Sequence, residues 1–219
     1  MSSLVTSSPY HDSPRPEMLA FVPDQALRVL DVGCHTGAFG AAVKKKCGGE
    51  VWGIEPNTET AQVATKVLDK VFNDIFTPDL PLPDQYFDAI VFNDVLEHMV
   101  DPWSALKLAA TKVKANGCVL VSLPNLRHID NLVHIMRERD FNYEPAGIRD
   151  KTHLRFFTRK SLLRLFDGSG LVVEQIHGIN EECYPSLPRR IAYFLFKDYL
   201  EDTRHIQFAV IARPAASLS

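Results

Sequence analysis

The segment RVLDVGCHTGAFG at positions 28–40 limits the folds open to this chain more than any other stretch. Residues 29–32 read as a short buried strand, glycines at 33 and 37 punctuate the turn after it, and 38–46 carry the pattern of a helix. An α/β sheet uses such a junction to aim backbone N–H groups and a helix N-terminus at a polar ligand. His35 breaks the pattern, because a dinucleotide or nucleoside fingerprint normally has glycine at that place in the turn.

The alternation continues downstream. Strands are predicted at 50–54, 70–73, 87–92 and 118–123, with helices at 59–67 and 102–113. Gly48-Gly49 stops the first long helix, and Asn116-Gly117 is expected to stop the one before the fifth strand. This βαβ succession predicts a mostly parallel sheet whose ligand lies beyond the carboxyl ends of its strands. Residues 125–157 form an unusually long connection with a helix at 129–137, the kind of excursion that serves as a lid or binding loop. Thr158 is the expected N-cap of a helix through Phe166. Strands at 171–176 and 206–213 follow, joined by an aromatic and basic segment that is no simple crossover helix, so an antiparallel pair at the sheet edge is expected. The expected organisation is a leader with a short helix at 1–27, then one domain over 28–219 with a lid insertion at 125–157.

At 219 residues and 46% hydrophobic, the chain can bury one substantial core. A net charge of -3, from 24 basic and 27 acidic residues, gives no electrostatic case for a nucleic-acid partner. Cys34, Cys47, Cys118 and Cys183 have no metal-knuckle spacing, and Cys34 and Cys118 sit in apolar runs as small hydrophobes. No apolar run approaches the ~20 residues of a membrane span, and the N-terminus lacks the features of a signal peptide. A soluble protein of the cytoplasm is expected.

Asp31, Glu55, Asp74 and Asp94 fall at or just after the ends of the first four predicted strands. The fold should bring all four to one rim. Glu55 stands where a carboxylate accepts both hydroxyls of a ribose, Asp74 where it could receive an exocyclic amine, and Asn93 and Asp94 where they could meet a charged amine. The bare chemistry points to an adenosine-containing ligand without saying which.

VLDVGCHTG at 29–37, GIEP at 53–56, ND at 73–74, FDAIVFNDVLEHMVDP at 87–102 and NGCVLVSLPN at 116–125 resemble the successive motifs of class I S-adenosylmethionine-dependent methyltransferases, the branch acting mainly on small molecules. GIRDKTHLRFFT at 147–158 resembles a block in bacterial members of uncertain substrate. The resemblance implies a Rossmann-like α/β fold, a mostly parallel seven-stranded sheet with an antiparallel edge strand and helices on both faces. It implies S-adenosylmethionine as methyl donor and S-adenosylhomocysteine as product. Carried over, Asp31, Gly33 and Gly37, with His35 in the turn, would cradle the methionine part; Glu55 with Pro56 would hold the ribose; Asn73 and Asp74 would meet the adenine; and Asn93, beside Asp94, would lie near the sulfonium.

Methyl transfer requires an acceptor atom in line with the methyl group, and an oxygen acceptor leaves a proton that a histidine can take. His98, His128 and His153 are the candidates, each with a bland alternative as a helix-start, capping or lid-latching residue. Arg149 and Arg155 are candidates for an anionic acceptor, and Phe141, Tyr143, Phe156, Phe157 and Tyr184 for an apolar wall. Asp94, Glu97 and His98 resemble the metal ligands of ubiquinone-pathway O-methyltransferases; no metal is expected, because the Glu-His pair also occurs in relatives that look metal-free and Asp94 is shorter than the glutamate of that pattern. The expected function is therefore transfer of a methyl group to an oxygen, less readily a nitrogen, of a small-molecule acceptor. The competing readings are a weak or inactive methyltransferase-fold interaction subunit and an NAD-dependent oxidoreductase. Oligomeric state stays open, a homodimer included.

Overall fold

The computed structural model describes residues 13–181 and 186–215; Cys183, Tyr184 and the first twelve residues of the leader lie outside the described residues. After a short helix α1 (Pro16–Leu19), the chain alternates β1 (Arg28–Val32), α2 (Ala38–Cys47), β2 (Glu50–Ile54), α3 (Thr58–Ala64) and β3 (Lys70–Phe72). It continues with β4 (Phe87–Asn93), α4 (Pro102–Lys112), β5 (Val113–Pro124), α5 (Ile129–Glu138), α6 (Arg159–Phe166), β6 (Leu171–Glu181), α7 (Leu187–Leu195), α8 (Lys197–Leu200) and β7 (His205–Pro214). The seven strands make one sheet in the order β3-β2-β1-β4-β5-β7-β6. The first five strands are parallel, and β7 runs antiparallel between β5 and β6, which supplies the antiparallel pair at the edge.

Strand alternation divides the core between the two faces. Leu30, Val32, Ile90, Phe92, Val119 and Val121 pack with Leu106, Ala109, Leu162 and Phe166, the inward stripes of α4 and α6. Val29, Ala89, Val91, Cys118 and Leu120 pack on the other face with Met18, Phe39, Val43 and Ala64 from α1, α2 and α3. Central strands buried on both sides read as continuous apolar runs for this reason. Asn57 caps α3 by accepting from the N–H groups of Glu59 and Thr60, and Thr158 caps α6 in a reciprocal box with Ser161.

Two sequence expectations are corrected. Asn116-Gly117 does not stop a helix: α4 ends at Lys112, β5 begins at once, and a register shift against Phe87 and Ala89 absorbs the extra residues. Gly117 is needed there because a Cβ would stand 2.8 Å from the carbonyl oxygen of Asp88. The segment after β6 holds α7 and α8, and β6 itself reaches Glu181 rather than 176. The long excursion at 125–157 leaves and rejoins the sheet at one place, where Asn125 and Phe157 form a bridge. Among the described residues no helix is long and apolar enough to cross a membrane.

Candidate active site

Parallel register brings the strand ends together. Val32 is paired with Ile54 and Phe92, and Asn93 with Ser122, so the residues that follow β1, β2 and β4 share one rim. A cavity opens there, lined by Arg15, Asp31, Gly33, His35, Phe39, Asn93, Asp94, Glu97, His98, Ile148, Asp150, His153, Ile206 and Gln207, among others. Asp31, Gly33, His35, Asn93, Asp94, His98 and His153 are thus brought together. Gly37, Glu55, Pro56, Asn73, Asp74 and His128 do not line this cavity.

The glycine turn works differently from the expectation. The N–H groups of Gly33 and Cys34 both donate to the carbonyl of Ile54, at 2.7 and 3.1 Å, and that of His35 donates to Glu55 Oε2 at 2.9 Å. These amides tie the turn to β2 instead of facing a ligand. What Gly33 contributes is room: its φ is 74°, and a Cβ would meet Val95 Cγ2 at 2.5 Å. Gly37 is structural, since it caps α2 with φ 84° and a Cβ would strike Val67 Cγ2 at 2.7 Å. His35 adopts the left-handed conformation at φ 49° that glycine would take freely.

Glu55 is buried, with Oε1 accepting from the N–H of Asn57 at 2.9 Å and Oε2 from His35. A carboxylate has about four acceptor sites, so both oxygens keep capacity. Asn73 is occupied in stitching β2 to β3, donating to the carbonyls of Glu55 and Pro56 and accepting from Thr58. Asp74 is exposed and accepts from the N–H of Ile75.

Several buried polar atoms in the cavity have no hydrogen-bond partner: Asp31 Oδ2, both side-chain atoms of Asn93 and both carboxylate oxygens of Glu97. Such groups are costly unless a ligand completes them. Asp31 is 2% exposed, and burial, with Glu55 nearby, pushes its carboxyl up to about 7. Burial, then Asp94, raises Glu97 well above the ordinary carboxylate range. His153 is held below the usual imidazole value by burial and by His98, whose ring meets it edge-on at 4.7 Å.

His153 Nδ1 lies 3.2 Å from the carbonyl of Ile148, which makes Nδ1 the protonated nitrogen and leaves a lone pair on Nε2. That Nε2 is 4.0 Å from Glu97 Oε1. His98 Nδ1 reaches the carbonyl and hydroxyl of Thr152. Ligand atoms of Glu97, His98 and His153 all lie within 4.8 Å of one another. Asp94 does not join them. Its Oδ2 takes Arg15 Nη1, and its Oδ1 accepts from Ser122 Oγ at 2.9 Å and Gln207 Nε2 at 2.7 Å.

Other acceptor-side expectations are corrected. His128 is buried at the N-cap of α5, outside the cavity. Arg149 pairs with Glu144 and Asn131 and thereby knits the excursion together, while Arg155 donates to the carbonyl of Val100. Phe141 packs edge-on against both Tyr143 and Phe156, and Phe157 belongs to the core beside α6, so no described aromatic of that set walls the cavity. Tyr184 falls outside the described residues.

A family model described as a methyltransferase domain matches residues 10–176. The chain belongs to this methyltransferase family. Among curated relatives it is 29% identical over 161 residues to a ubiquinone biosynthesis O-methyltransferase of Aeromonas salmonicida, covering 70% of this chain and 66% of that one. Similarity to the enzyme of the same name from Neisseria meningitidis serogroup C is 26% over 197 residues, 86% and 77% of the two chains. The chain thus spans about two thirds of the length of the first relative. Among solved structures, an S-adenosylmethionine-dependent methyltransferase from Archaeoglobus fulgidus superposes with a TM-score of 0.63 at 18% identity, over 91% of this chain and 94% of that one. Another from Mesorhizobium loti gives 0.62 at 19% identity, over 90% and 96%. These two likenesses establish the Rossmann-like fold. S-adenosylmethionine is the methyl donor of the family, and S-adenosylhomocysteine its product.

Sequence reasoning missed Arg15 and Gln207. Arg15 lies in the Ser/Pro-rich leader and is only 4% exposed, and Gln207 is 113 residues from its partner Asp94. No local pattern marks either.

Proposed function

We propose that this methyltransferase transfers a methyl group to an oxygen of a small-molecule acceptor, with His153 taking the acceptor's proton. The observation that carries the reading is the set of buried, unsatisfied polar atoms of Asp31, Asn93 and Glu97 around one cavity. Asp31 answers the ammonium of the donor's methionine end and Arg15 its carboxylate, Arg15 being the one arginine or lysine among the described residues that line the cavity. Asn93 flanks the sulfonium, and Glu55 and Asp74, on the same rim, serve ribose and adenine. The lining acids exceed the lining cations, which suits a donor carrying a sulfonium.

Placement dominates the chemistry, because the donor is already activated. As the acceptor oxygen attacks in line, its proton passes to Nε2 of His153, whose Nδ1 stays fixed by Ile148. Glu97 then faces the resulting imidazolium. Calorimetry with S-adenosylmethionine and S-adenosylhomocysteine tests the donor site; absence of binding by either to folded protein overturns it.

The close approach of Glu97, His98 and His153 favours a second reading of the same groups. One carboxylate and two imidazoles fit a borderline divalent ion such as Zn²⁺ better than a hard one such as Mg²⁺. Such an ion would lower the pKa of the acceptor oxygen and orient it. Turnover that survives chelation and does not respond to added Zn²⁺ rules this reading out.

A further inference from the structure

Arg15 is held by a bonded set drawn from four strands. Asp94 follows β4, Ser122 lies on β5, Gln207 on β7 and Asn180 on β6. Gln207 Oε1 accepts from Asn180 Nδ2 at 2.7 Å and from Arg15 Nη2 at 3.3 Å, while Gln207 Nε2 donates to Asp94 Oδ1. Ser122 Oγ donates to Asp94 and receives the backbone N–H of Asp94 at 3.1 Å. Arg15 Nε donates to Glu17 at 2.5 Å. Six described non-glycine residues have positive φ, and three of them, Arg15 at 46°, Asp94 at 54° and Asn180 at 57°, belong to this set. Backbone in that region persists where its surroundings over-determine it, and such places cluster at functional sites.

A plain surface ion pair would not need this apparatus. Each member fixes another: Asn180 sets which way the Gln207 amide points, Gln207 and Ser122 together fill Oδ1 of Asp94, and Oδ2 is left to aim one edge of the guanidinium. Nη1 keeps a second hydrogen, and the Nη2 bonds at 3.3 and 3.4 Å are long enough to be exchanged for a better acceptor.

Resting on the donor-site reading above, we propose that Asp94, Ser122, Gln207 and Asn180 are positioning residues for Arg15, so that recognition of the donor's carboxylate depends on the far edge of the sheet. Asp94 in this chain serves the donor and not the acceptor. Gln207 is the keystone, since it alone bonds Asn180, Asp94 and Arg15.

The test compares binding of S-adenosylmethionine with that of its decarboxylated form, which keeps sulfonium and ammonium and lacks only the carboxylate. Wild-type protein is expected to prefer the carboxylated donor by at least tenfold. Gln207→Leu and, as a milder variant, Asn180→Ala are expected to reduce that preference to about threefold or less while changing affinity for the decarboxylated donor by less than about threefold. Binding of the decarboxylated donor also reports that each variant is folded. Equal losses for both ligands would mean a merely structural role and overturn the proposal, as would an unchanged preference. A wild type that binds both ligands equally removes Arg15 from carboxylate recognition and overturns it too. A wild type that binds neither overturns the donor-site reading itself, and the proposal with it.

Discussion

Nε2 of His153 stands 4.0 Å from Oε1 of Glu97, too far for a hydrogen bond and close enough for one oxygen atom to bridge them. The tautomer fixed by Ile148 turns a lone pair toward that gap. Burial lowers the affinity of His153 for a proton and raises that of Glu97, so the two are biased toward neutrality before an acceptor arrives.

His153→Ala should lower kcat by about 10²-fold or more, within the range of general-base contributions, while leaving affinity for S-adenosylhomocysteine nearly unchanged. The acid limb of the wild-type rate profile should lie below the ordinary histidine value, because burial and His98 lower the pKa of His153. Steady-state kinetics across pH beside calorimetry would show this. A proportional loss in both rate and donor binding would deny His153 its role as base.

Donor affinity should depend on pH through Asp31. Its carboxyl, pushed up to about 7 in the ligand-free protein, must lose its proton to pair with an ammonium. Binding should therefore release a proton, and affinity should fall about tenfold for each pH unit below 7 and level off above it. Titrations in buffers of different ionisation enthalpy would count the proton directly.

Asp31→Asn should make the ligand-free protein more stable while destroying donor binding. Because the folded pKa of Asp31 is raised, ionising it costs stability as pH climbs from its unfolded value near 4 to about 7. The variant escapes that cost, so its advantage at pH 8 should reach about 2–4 kcal/mol and vanish near pH 4. Urea melts at the two pH values would show the advantage at pH 8 and its loss near pH 4; equal stabilities at both would show that Asp31 is not strained by burial.

His35→Gly should retain S-adenosylhomocysteine affinity or improve it. The left-handed backbone at His35 costs about 1–2 kcal/mol for a residue with a Cβ, and the N–H bond to Glu55 is independent of the side chain. Loosening of the unfolded chain by glycine offsets part of that relief, about 0.4–1 kcal/mol. A loss of affinity beyond about fivefold would show that the imidazole itself touches the donor.

The strands and the acidic rim were legible because both depend on local pattern. Two-sided burial writes apolar runs such as 118–123, and one βα unit separates Asp31 from Glu55 and Glu55 from Asp74, while a connection without a helix leads from Asp74 to β4 and Asp94. The cap of α6 was legible for the same reason, Thr158 and Ser161 being three residues apart. Side-chain partnerships across the rim were not. Whether Asp94 faces a ligand or Arg15 is settled by residues 79 and 113 positions away, placed beside it by strand order and by the reversal of β7. Arg149 shows the converse, since an arginine near a histidine reads as an anion receptor until its partners Glu144 and Asn131 are seen.

The reversed strand also orders events in time. Because β7 enters the sheet from the rim side, Gln207 reaches Asp94 only once β7 has slotted between β5 and β6. Before β7 arrives, Arg15 lacks its bond to Gln207. On the proposed role of Arg15, the grip on the donor's carboxylate therefore waits for β7 to seat between its neighbours.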